Sequence, residues 1–447
     1  MRSFTPMLTS KSKFVFFAID AFLFFLAFTL ILKLKIESLE AGVSAINQLC
    51  ILGSVAILGQ YIFGNYELDF VVHQKQLLTR QTAAAVFTIL ISMASNYLIA
   101  SYSQYDFNRN LLLIVFTVFS IYVMVYKYLV VQMFKTLRTK VKWLVIAPNE
   151  VQQIIQKDFS RITFEGQIEY VDSNISAAAM VTLLNKPWTT IVTSLSLTND
   201  SAQIREMLSI QKANGVNIIG ATEFYERHLL KVPIHILDAK WFVDSQGFYI
   251  ASSVGAERLK RATDFIFASI LAVFAAPFMI LTYIIVKLDS AGPAFYSQIR
   301  TGKDNQTFRI YKFRSMKIDA EKNGAQWASA NDHRVTRIGK FIRKTRLDEL
   351  PQIWNVFKGD MSFVGPRPER PEFNEQLETQ MPFYQMRHTM LPGLTGWAQV
   401  MYPYGASVED SKEKLQYELY YMKHRSFIQD MGIILKTVAV VVGAHGR

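Results

Sequence analysis

The sequence predicts three parts in one chain: an α-helical membrane bundle, a small Rossmann-like α/β module, and an α-rich domain seated on the membrane by a re-entrant helix. Three observations carry this prediction. Four long apolar runs occupy residues 1–135, and short apolar strands alternate with helical stretches over residues 141–240. A further apolar run, with a proline near its middle, opens residues 258–447, and residues 241–257 are expected to be a linker.

Composition supports a membrane protein with anionic partners. Hydrophobic residues make up 51% of the 447 residues, and the mean hydropathy is +0.16. The formal net charge is +12, which suits nucleic acid, an anionic membrane face or anionic substrates. Aromatic and arginine residues do not interleave as in a nucleic-acid platform, so lipid headgroups and nucleotide phosphates are favoured. The single cysteine, Cys50, excludes a disulfide framework and a thiol metal site.

The four apolar runs are residues 14–32, 44–63, 82–101 and 111–133. Each approaches the length of about 20 residues that crosses a bilayer. The first run lacks a small-residue cleavage site followed by a polar chain, so it is predicted to be an anchor. Basic residues before the first run and after the fourth place both ends in the cytoplasm. Asp20 within the first run is either functional or packed against neighbouring helices, and packing is the preferred interpretation.

The α/β module is predicted from four strands and an amphipathic helix near residues 201–213; the strands are residues 143–147, 168–172, 190–194 and 216–220. A dinucleotide site would place a G-x-G-x-x-G motif after the first strand, where this chain has Ala147-Pro-Asn-Glu150. We therefore expect no tightly bound NAD and favour a regulatory or structural role.

The apolar run at residues 265–286 is long enough to span a membrane. Pro277 lies near its middle, where it bends a helix, and basic residues flank both sides, so neither end is favoured for export. These features predict a re-entrant helical hairpin, and a fifth spanning helix remains the alternative. The last apolar segment, residues 431–444, is interrupted by Lys436 and suits an interfacial or buried core helix.

The segment of residues 343–372 holds the strongest candidate site. Asp348 and Glu349 are adjacent in a near-neutral run, with cations on both sides at Arg343, Lys344, Arg346, Lys358, Arg367 and Arg370. One carboxylate that attacks or holds a metal, with guanidinium groups around it, is what phosphoryl transfer requires. The alternative is an ordinary helix start, in which Thr345 caps a first turn that contains the acids.

Ordered motifs across residues 258–447 resemble the bacterial sugar transferases, the polyprenyl-phosphate hexose-1-phosphate transferases. The motifs are Lys260-Arg261-x-x-Asp264, QIRTG at 298–302, YKFRSM at 311–316, LDELPQ at 347–352, GDMSFVGPRP at 359–368 and PGLTGWAQV at 392–400. The likeness is greatest to long members, which add four membrane helices and a soluble module. The family has a re-entrant helix, commonly with Ser-Pro at its break, where this chain has Ala276-Pro277.

The resemblance implies a monotopic phosphoglycosyl transferase domain with Asp348 as the nucleophile that forms a phosphosugar-aspartyl intermediate. It implies that Glu349 holds Mg²⁺ and that Arg343 and Arg367 contact phosphate. Arg346 stands where many relatives have serine, so its phosphate role rests on less.

Three further residues have open alternatives. Lys312 and Arg314 are candidate nucleotide or phosphate contacts, with a solvated basic face as the alternative. Asp360 either caps a turn or supports a site residue.

The substrates implied by the resemblance are a UDP-sugar, with glucose or galactose as the guess, and undecaprenyl phosphate. The product would begin exopolysaccharide or capsule synthesis. We expect the catalytic domain on the cytoplasmic face of the bacterial inner membrane, contacts with membrane lipids, a homodimer, and no nucleic-acid partner. One alternative is a membrane receptor or scaffold with a decayed site. Another is a processive glycosyltransferase, for which the soluble parts lack a D-x-D motif.

Overall fold

The computed structural model describes residues 10–35, 43–63, 65–66, 74–100, 109–138, 141–159, 166–194, 202–237, 241–242, 248, 254–318, 320, 332–402, 405 and 407–442. The chain folds as two units, Met1–Ala221 and Thr222–Arg447.

Four apolar helices begin the first unit: α1 (Ser10–Lys35), α2 (Val43–Ile62), α3 (Gln74–Ala100) and α4 (Arg109–Arg138). Aromatic rings interlock between α1 and α4, where Phe24 contacts Phe116 and Phe119. In the described residues of α4, Leu112–Val130 is long and apolar enough to cross a membrane, and α1 to α3 contain shorter apolar stretches. The structure therefore supports apolar helices here, and four complete spans remain a prediction.

Asp20 is not an isolated acid inside these helices. Lys127 of α4 places its Nζ 2.9 Å from Asp20 Oδ2, and both side chains are fully buried. The Tyr126 hydroxyl donates to the other oxygen of Asp20. A buried charge whose partner is removed costs about 3–5 kcal/mol. The contacts therefore agree with the packing interpretation, and they add a counterion that the sequence did not reveal.

An α/β region follows, with β1 (Lys142–Ala147), α5 (Asn149–Phe159), β2 (Gln167–Asp172), α6 (Ala177–Leu184), β3 (Thr190–Thr193), α7 (Ala202–Ala213) and β4 (Asn217–Gly220). The strands pair in parallel in the order β2-β1-β3-β4. Each lies within one residue of its predicted bounds, because short apolar runs between polar helices define strands well. This topology is compatible with the predicted Rossmann-like module.

The segment after β4 packs with the second unit, although the sequence placed residues up to 240 in the α/β module. Helix α8 (Ala221–Phe224) continues into the π-helical turn Tyr225–Leu229. The Val232 amide donates to the Gln416 carbonyl at 3.0 Å, and Lys231 pairs with Glu413 at 2.7 Å. The boundary between the units therefore falls at residue 221.

Helix α9 (Val254–Asp289) runs without interruption through Pro277. The helix assignment is therefore continuous where the hairpin predicted for residues 265–286 would bend. Pro277 is exposed, and a proline inside a helix removes one hydrogen bond and can bend the axis without ending the helix. The re-entrant bend stays a prediction.

Both ends of α9 are attached to the same domain. Near its start, the Arg261 guanidinium donates to the carbonyl oxygens of Val356 and Phe357. Near its end, Val286 is buried against Phe313 and Ile342. The opposite face is uncovered and apolar, with large exposed side chains at Phe265, Ile266, Ile270, Val273, Phe274, Phe278, Ile280, Leu281 and Ile284.

The rest of the second unit consists of short elements. An antiparallel pair is formed by β5 (Phe295–Thr301) and β6 (Thr307–Phe313), and a parallel pair by β7 (Ser362–Val364) and β8 (Gly393–Thr395). The helices are α10 (Arg337–Lys344), α11 (Ile353–Lys358), α12 (Pro371–Gln380), α13 (Trp397–Met401), α14 (Val408–His424) and α15 (Phe427–Val442), with 3₁₀ turns at Lys303–Asn305, Leu347–Gln352 and Tyr384–Thr389.

Helix α15 contains the predicted apolar segment, apart from residues 443–444, which lie outside the described residues. Ile433 is fully buried, whereas Phe427 and Ile428 are exposed. Lys436 does not interrupt the helix, and its ammonium group lies 5.1 Å from the centre of the Trp397 ring. One face of α15 is therefore core, and part of its other face is open.

Candidate functional site

Asp348 and Glu349 lie in the 3₁₀ turn Leu347–Gln352, where the chain leaves α10. Arg346 makes this sharp exit with a left-handed backbone (φ 60°), which is uncommon for a residue other than glycine. Thr345 does not cap the acids, because its hydroxyl donates back to the Phe341 carbonyl at 2.9 Å. The alternative of a Thr345 cap is therefore wrong, although the acids do occupy a first turn.

Glu349 is surrounded by cations on both carboxylate oxygens. Its Oε1 accepts from Arg367 Nη2 at 2.6 Å and from Lys312 Nζ at 3.1 Å, and its Oε2 lies 3.5 Å from Arg346 Nη1. Burial raises the pKa of Glu349, but the charges of Arg367, Lys312 and Arg346 outweigh it and hold that pKa well below its usual range. Glu349 is therefore a permanently charged anchor for the three cations.

Asp348 has a different environment one residue away. Its side chain is 7% exposed, and its Oδ1 has no hydrogen-bond partner. Burial, followed by the charge of Glu349, raises the pKa of Asp348 to about 6, against the opposing charges of Lys312 and Arg343. Adjacent carboxylates whose pKa values are pushed apart are typical of sites with divided chemical roles.

Lys312 lies on strand β6, whose main chain is bonded by Asn355, and Asp360 in turn contacts Asn355. Asn355 of α11 donates to the Arg309 carbonyl at 2.8 Å and accepts from the Tyr311 amide at 3.3 Å. Asp360 lies 3.4 Å from the Asn355 amide nitrogen and 3.2 Å from Lys358. These contacts favour support of Asn355 as the role of Asp360, which does not line the cavity that contains the acids.

The sequence-predicted cations divide into two groups. Arg343, in the last turn of α10, lines the same cavity as the acids, together with Lys312, Arg346 and Arg367. Arg314 also borders the cavity, but its guanidinium donates to the carbonyl oxygens of Ser290 at 2.6 Å and Ala291 at 3.0 Å. These bonds hold the chain just after the end of α9, so a phosphate contact by Arg314 is not favoured.

The cavity has a volume of about 480 Å³ and carries an excess of positive charge. Ten basic and four acidic side chains line it. Seven of the charged residues lie outside the set of site residues predicted from sequence: Arg300, Lys317, Glu369, Arg370, Arg387, Lys414 and Glu418. Arg300, Glu369 and Arg370 belong to segments that the sequence motifs single out. Arg387, Lys414 and Glu418 lie outside those motifs and far apart in the chain, so only the fold reveals that they meet.

This arrangement suits transfer of a phosphorylated group. A carboxylate oxygen without a partner can attack phosphorus, and the cations around it can take the charge of phosphate oxygens. The uncovered apolar face of α9 belongs to the same domain, and such a face is typical of a membrane or protein contact. Fold and site together define a phosphoryl-transfer domain with an apolar docking face.

Comparison with known proteins names the family. A model described as bacterial sugar transferase matches residues 255–444. The exopolysaccharide production protein PSS of Rhizobium leguminosarum bv. phaseoli is 41% identical over 187 residues, which is 40% of this chain and 93% of that protein. The chain therefore belongs to the bacterial sugar transferase family.

Two longer relatives match a smaller share of their own length. The UDP-N-acetylgalactosamine-undecaprenyl-phosphate N-acetylgalactosaminephosphotransferase of Aeromonas hydrophila is 46% identical over 188 residues, 42% of this chain and 44% of its own. The UDP-glucose:undecaprenyl-phosphate glucose-1-phosphate transferase of Escherichia coli (strain K12) is 39% identical over 182 residues, 40% of this chain and 39% of its own. These matches cover less than half of either chain.

Replacing Asp348 with asparagine should stabilise the metal-free protein at neutral pH. The pKa of Asp348 rises from 3.8 to about 6 on folding. The contribution of the protonated carboxyl to the free energy of unfolding is therefore complete below about pH 4, and it is lost as the pH rises through about 6. Asparagine has no charge to bury, so the Tm advantage of Asp348→Asn should grow between these values and then level off. Thermal unfolding in EDTA measures it.

Glu349→Gln is the matched control with the opposite sign. The depressed pKa of Glu349 means that its charge stabilises the fold at neutral pH, and this contribution is lost on acidification. The variant should therefore unfold below wild type at neutral pH and approach it in acid. An Asp348→Asn advantage of the same size at every pH would contradict the assigned burial of that carboxyl.

Proposed function

We propose that this protein transfers a sugar 1-phosphate from a UDP-sugar to undecaprenyl phosphate, as the first membrane step of exopolysaccharide or capsule synthesis. The observation that carries the proposal is the unpartnered Oδ1 of Asp348 beside the cation-bound Glu349. The names of the Aeromonas and Escherichia relatives, each a sugar phosphotransferase that uses undecaprenyl phosphate, support the two substrates.

Asp348 is the nucleophile in this proposal. Its carboxylate attacks the sugar-bearing phosphorus, the bond from that phosphorus to the bridging oxygen breaks, and uridine monophosphate leaves. In the second step an oxygen of the lipid phosphate attacks the same phosphorus and the bond to Asp348 breaks. The carboxylate is thereby restored and the product is a lipid diphosphate sugar. The raised pKa of Asp348 supports this role, because a more basic carboxylate is a stronger nucleophile once it is deprotonated.

The cations prepare the diphosphate for attack by an anion. Two anions repel each other, so the donor must be neutralised before a carboxylate approaches its phosphorus. Arg343, Arg346 and Arg367 line the cavity beside Asp348, and guanidinium groups bind phosphate oxygens in a bidentate manner. Burial lowers the pKa of Lys312, which Glu349 partly offsets. We propose that these four side chains hold the transferred phosphoryl group and the leaving group.

Mg²⁺ fits this set of ligands only together with the phosphates of the donor. The described residues contain no cluster of three or more histidine, cysteine or acidic side chains that could hold a metal. Asp348 has a free oxygen, whereas both oxygens of Glu349 already face cations. Mg²⁺ is commonly bound by one or two carboxylates plus substrate phosphates. When bound, the ion would neutralise charge on the diphosphate. Glu349, the ligand that the family resemblance implies, would hold it only by giving up one of these cation contacts.

The domain is proposed to sit on the cytoplasmic face of the inner membrane and to follow four spanning helices in the sequence. Both ends of α9 contact the same domain, whereas the two ends of a spanning helix lie on opposite faces of the bilayer, and this supports a helix that enters one leaflet and returns. Such a path requires a bend, for which Pro277 is the candidate position. Helices α10 and α11 pack against α9 and expose large aromatic side chains at Phe341 and Trp354. These rings would lie at the headgroup level.

The relatives differ in the sugar for which they are named. The sequence resemblance favours glucose or galactose, and the Escherichia relative is named for glucose. The Aeromonas relative, at 46% identity, is named for N-acetylgalactosamine. A panel of donors must therefore include UDP-glucose, UDP-galactose and UDP-N-acetylgalactosamine.

Asp348→Asn should abolish release of uridine monophosphate from every donor of this panel. Without lipid phosphate, wild type should retain one phosphosugar adduct per chain, visible by intact mass, because the second step then has no acceptor. The variant should show no adduct. Glu375→Gln, which changes an exposed acid of α12 that does not line the cavity, should still form it. Turnover by Asp348→Asn at the wild-type rate would overturn the proposed nucleophile.

Mg²⁺ binding should require the nucleotide diphosphate. Because the protein offers only two carboxylates, calorimetry should show about tenfold or more tighter Mg²⁺ binding when UDP is present, and UDP should gain equally from Mg²⁺. Glu349→Gln should lose this coupling, and Glu375→Gln, at an exposed acid outside the cavity, should keep it. Equal Mg²⁺ affinity with and without UDP would contradict the proposed ligand set.

Trp354→Ser should slow the lipid step alone. Loss of one buried aromatic contact with the membrane corresponds to about a tenfold weaker interaction, so transfer to undecaprenyl phosphate in vesicles should fall while adduct formation from the soluble donor stays near wild type. Ile210→Ser, at an exposed apolar position in α7, is the matched control and should change neither step. An equal loss in both steps would show that Trp354 acts on the fold and not on the membrane.

A further inference from the structure

A buried arginine that is absent from the predicted site contacts the backbone of Arg367. Arg387, in the 3₁₀ turn Tyr384–Thr389, is 5% exposed. Its Nε and Nη2 each donate to one oxygen of Glu418 at 2.9 Å. Its Nη2 also donates to the Arg367 carbonyl at 2.7 Å. One guanidinium thus joins a buried carboxylate of α14 to the main chain of a cavity cation.

The contact occurs where the Arg367 main chain has little freedom. Pro366 and Pro368 flank it, which restricts its backbone and removes a neighbouring donor. The Gly393 amide fixes the Pro366 carbonyl at 2.7 Å. With the main chain fixed on both sides, the Arg367 side chain reaches Glu349 at 2.6 Å. The Arg387 guanidinium thus holds the Arg367 carbonyl, and the Gly393 amide holds the carbonyl that precedes this residue.

Arg387 borders the cavity, but its donors are nearly all in use. Besides Glu418 and the Arg367 carbonyl, its Nη1 donates to the Tyr384 hydroxyl at 2.7 Å, and that hydroxyl donates to Asn374 at 2.7 Å. Four of the five N–H groups of the guanidinium are thereby occupied. Binding a phosphate would require Arg387 to give up these partners, so a direct contact with the substrate is disfavoured.

We propose that Arg387, with Glu418 as its counterion, is a positioning residue that sets Arg367 for the first phosphoryl-transfer step. This inference rests on the proposed function. It assigns to Glu418 a role in holding Arg387 and not in binding metal or sugar. Lysine cannot replace Arg387, since one ammonium group lacks the planar fork that reaches two carboxylate oxygens and a carbonyl together.

A double-mutant cycle tests the proposal. Arg387→Lys keeps the charge opposite Glu418 and should slow adduct formation by about 100-fold, because small displacements of a catalytic group have effects of that order. In an Arg367→Ala background the same change should cost less than about twofold, since Arg387 then has no side chain to position. The Tm of Arg387→Lys, measured alongside, reports any loss of fold separately from the rate.

Arg261→Lys is the matched control. Arg261 also donates to two main-chain carbonyls, those of Val356 and Phe357, but it makes no contact with Arg367 in the hydrogen bonds that the structure gives it. Its effect on the rate should therefore be the same in both backgrounds. Full additivity of Arg387→Lys with Arg367→Ala overturns the positioning role while wild-type turnover stands. Absence of wild-type turnover with every donor instead overturns the proposed function.

Discussion

The three cations bound to Glu349 are the interaction on which the site depends. Arg367, Lys312 and Arg346 converge on this one carboxylate, and so they do not pair with the neighbouring Asp348. If Glu349 were neutral, the same charges would face Asp348 and lower its pKa. Glu349 therefore keeps the adjacent carboxylate free and basic, and it holds the cations at the place where a phosphate must be received.

The cations around Glu349 come from segments that are distant in sequence, so the fold must hold these segments close together. Lys312 comes from β6, and Arg367 comes from the loop after β7. That loop depends on Gly393, where an added Cβ would lie 2.1 Å from the Gly365 nitrogen, so only glycine permits the two backbones to approach. The cations are thus fixed by main-chain packing, which suits groups that must be in place before the substrate arrives.

Local sequence predicted local features and failed where a partner lies far along the chain. The strands of the α/β region and the Asp348-Glu349 pair follow from short patterns. Arg314 stands in a basic motif like Lys312, but its donors are taken near the end of α9, which only tertiary structure can show. Arg387 gave no signal, because its partners Glu418 and Arg367 are dispersed. The bend expected at Pro277 stays a prediction, because a helix assignment that continues through a proline does not give the direction of the helix axis.

The hydrogen bonds of the other buried carboxylates argue that the unpartnered oxygen of Asp348 has been left free for chemistry. Asp20 is paired with Lys127 and Tyr126, and Asp264 accepts from Ser362 Oγ at 2.7 Å. Among the buried acids in the described part of the chain, Asp348 alone has an oxygen without a partner. A buried, unsatisfied charge costs stability. The other buried acids have partners, and the one acid without a full set lies in a cationic cavity. The stability lost there is therefore best explained by the reactivity of Asp348.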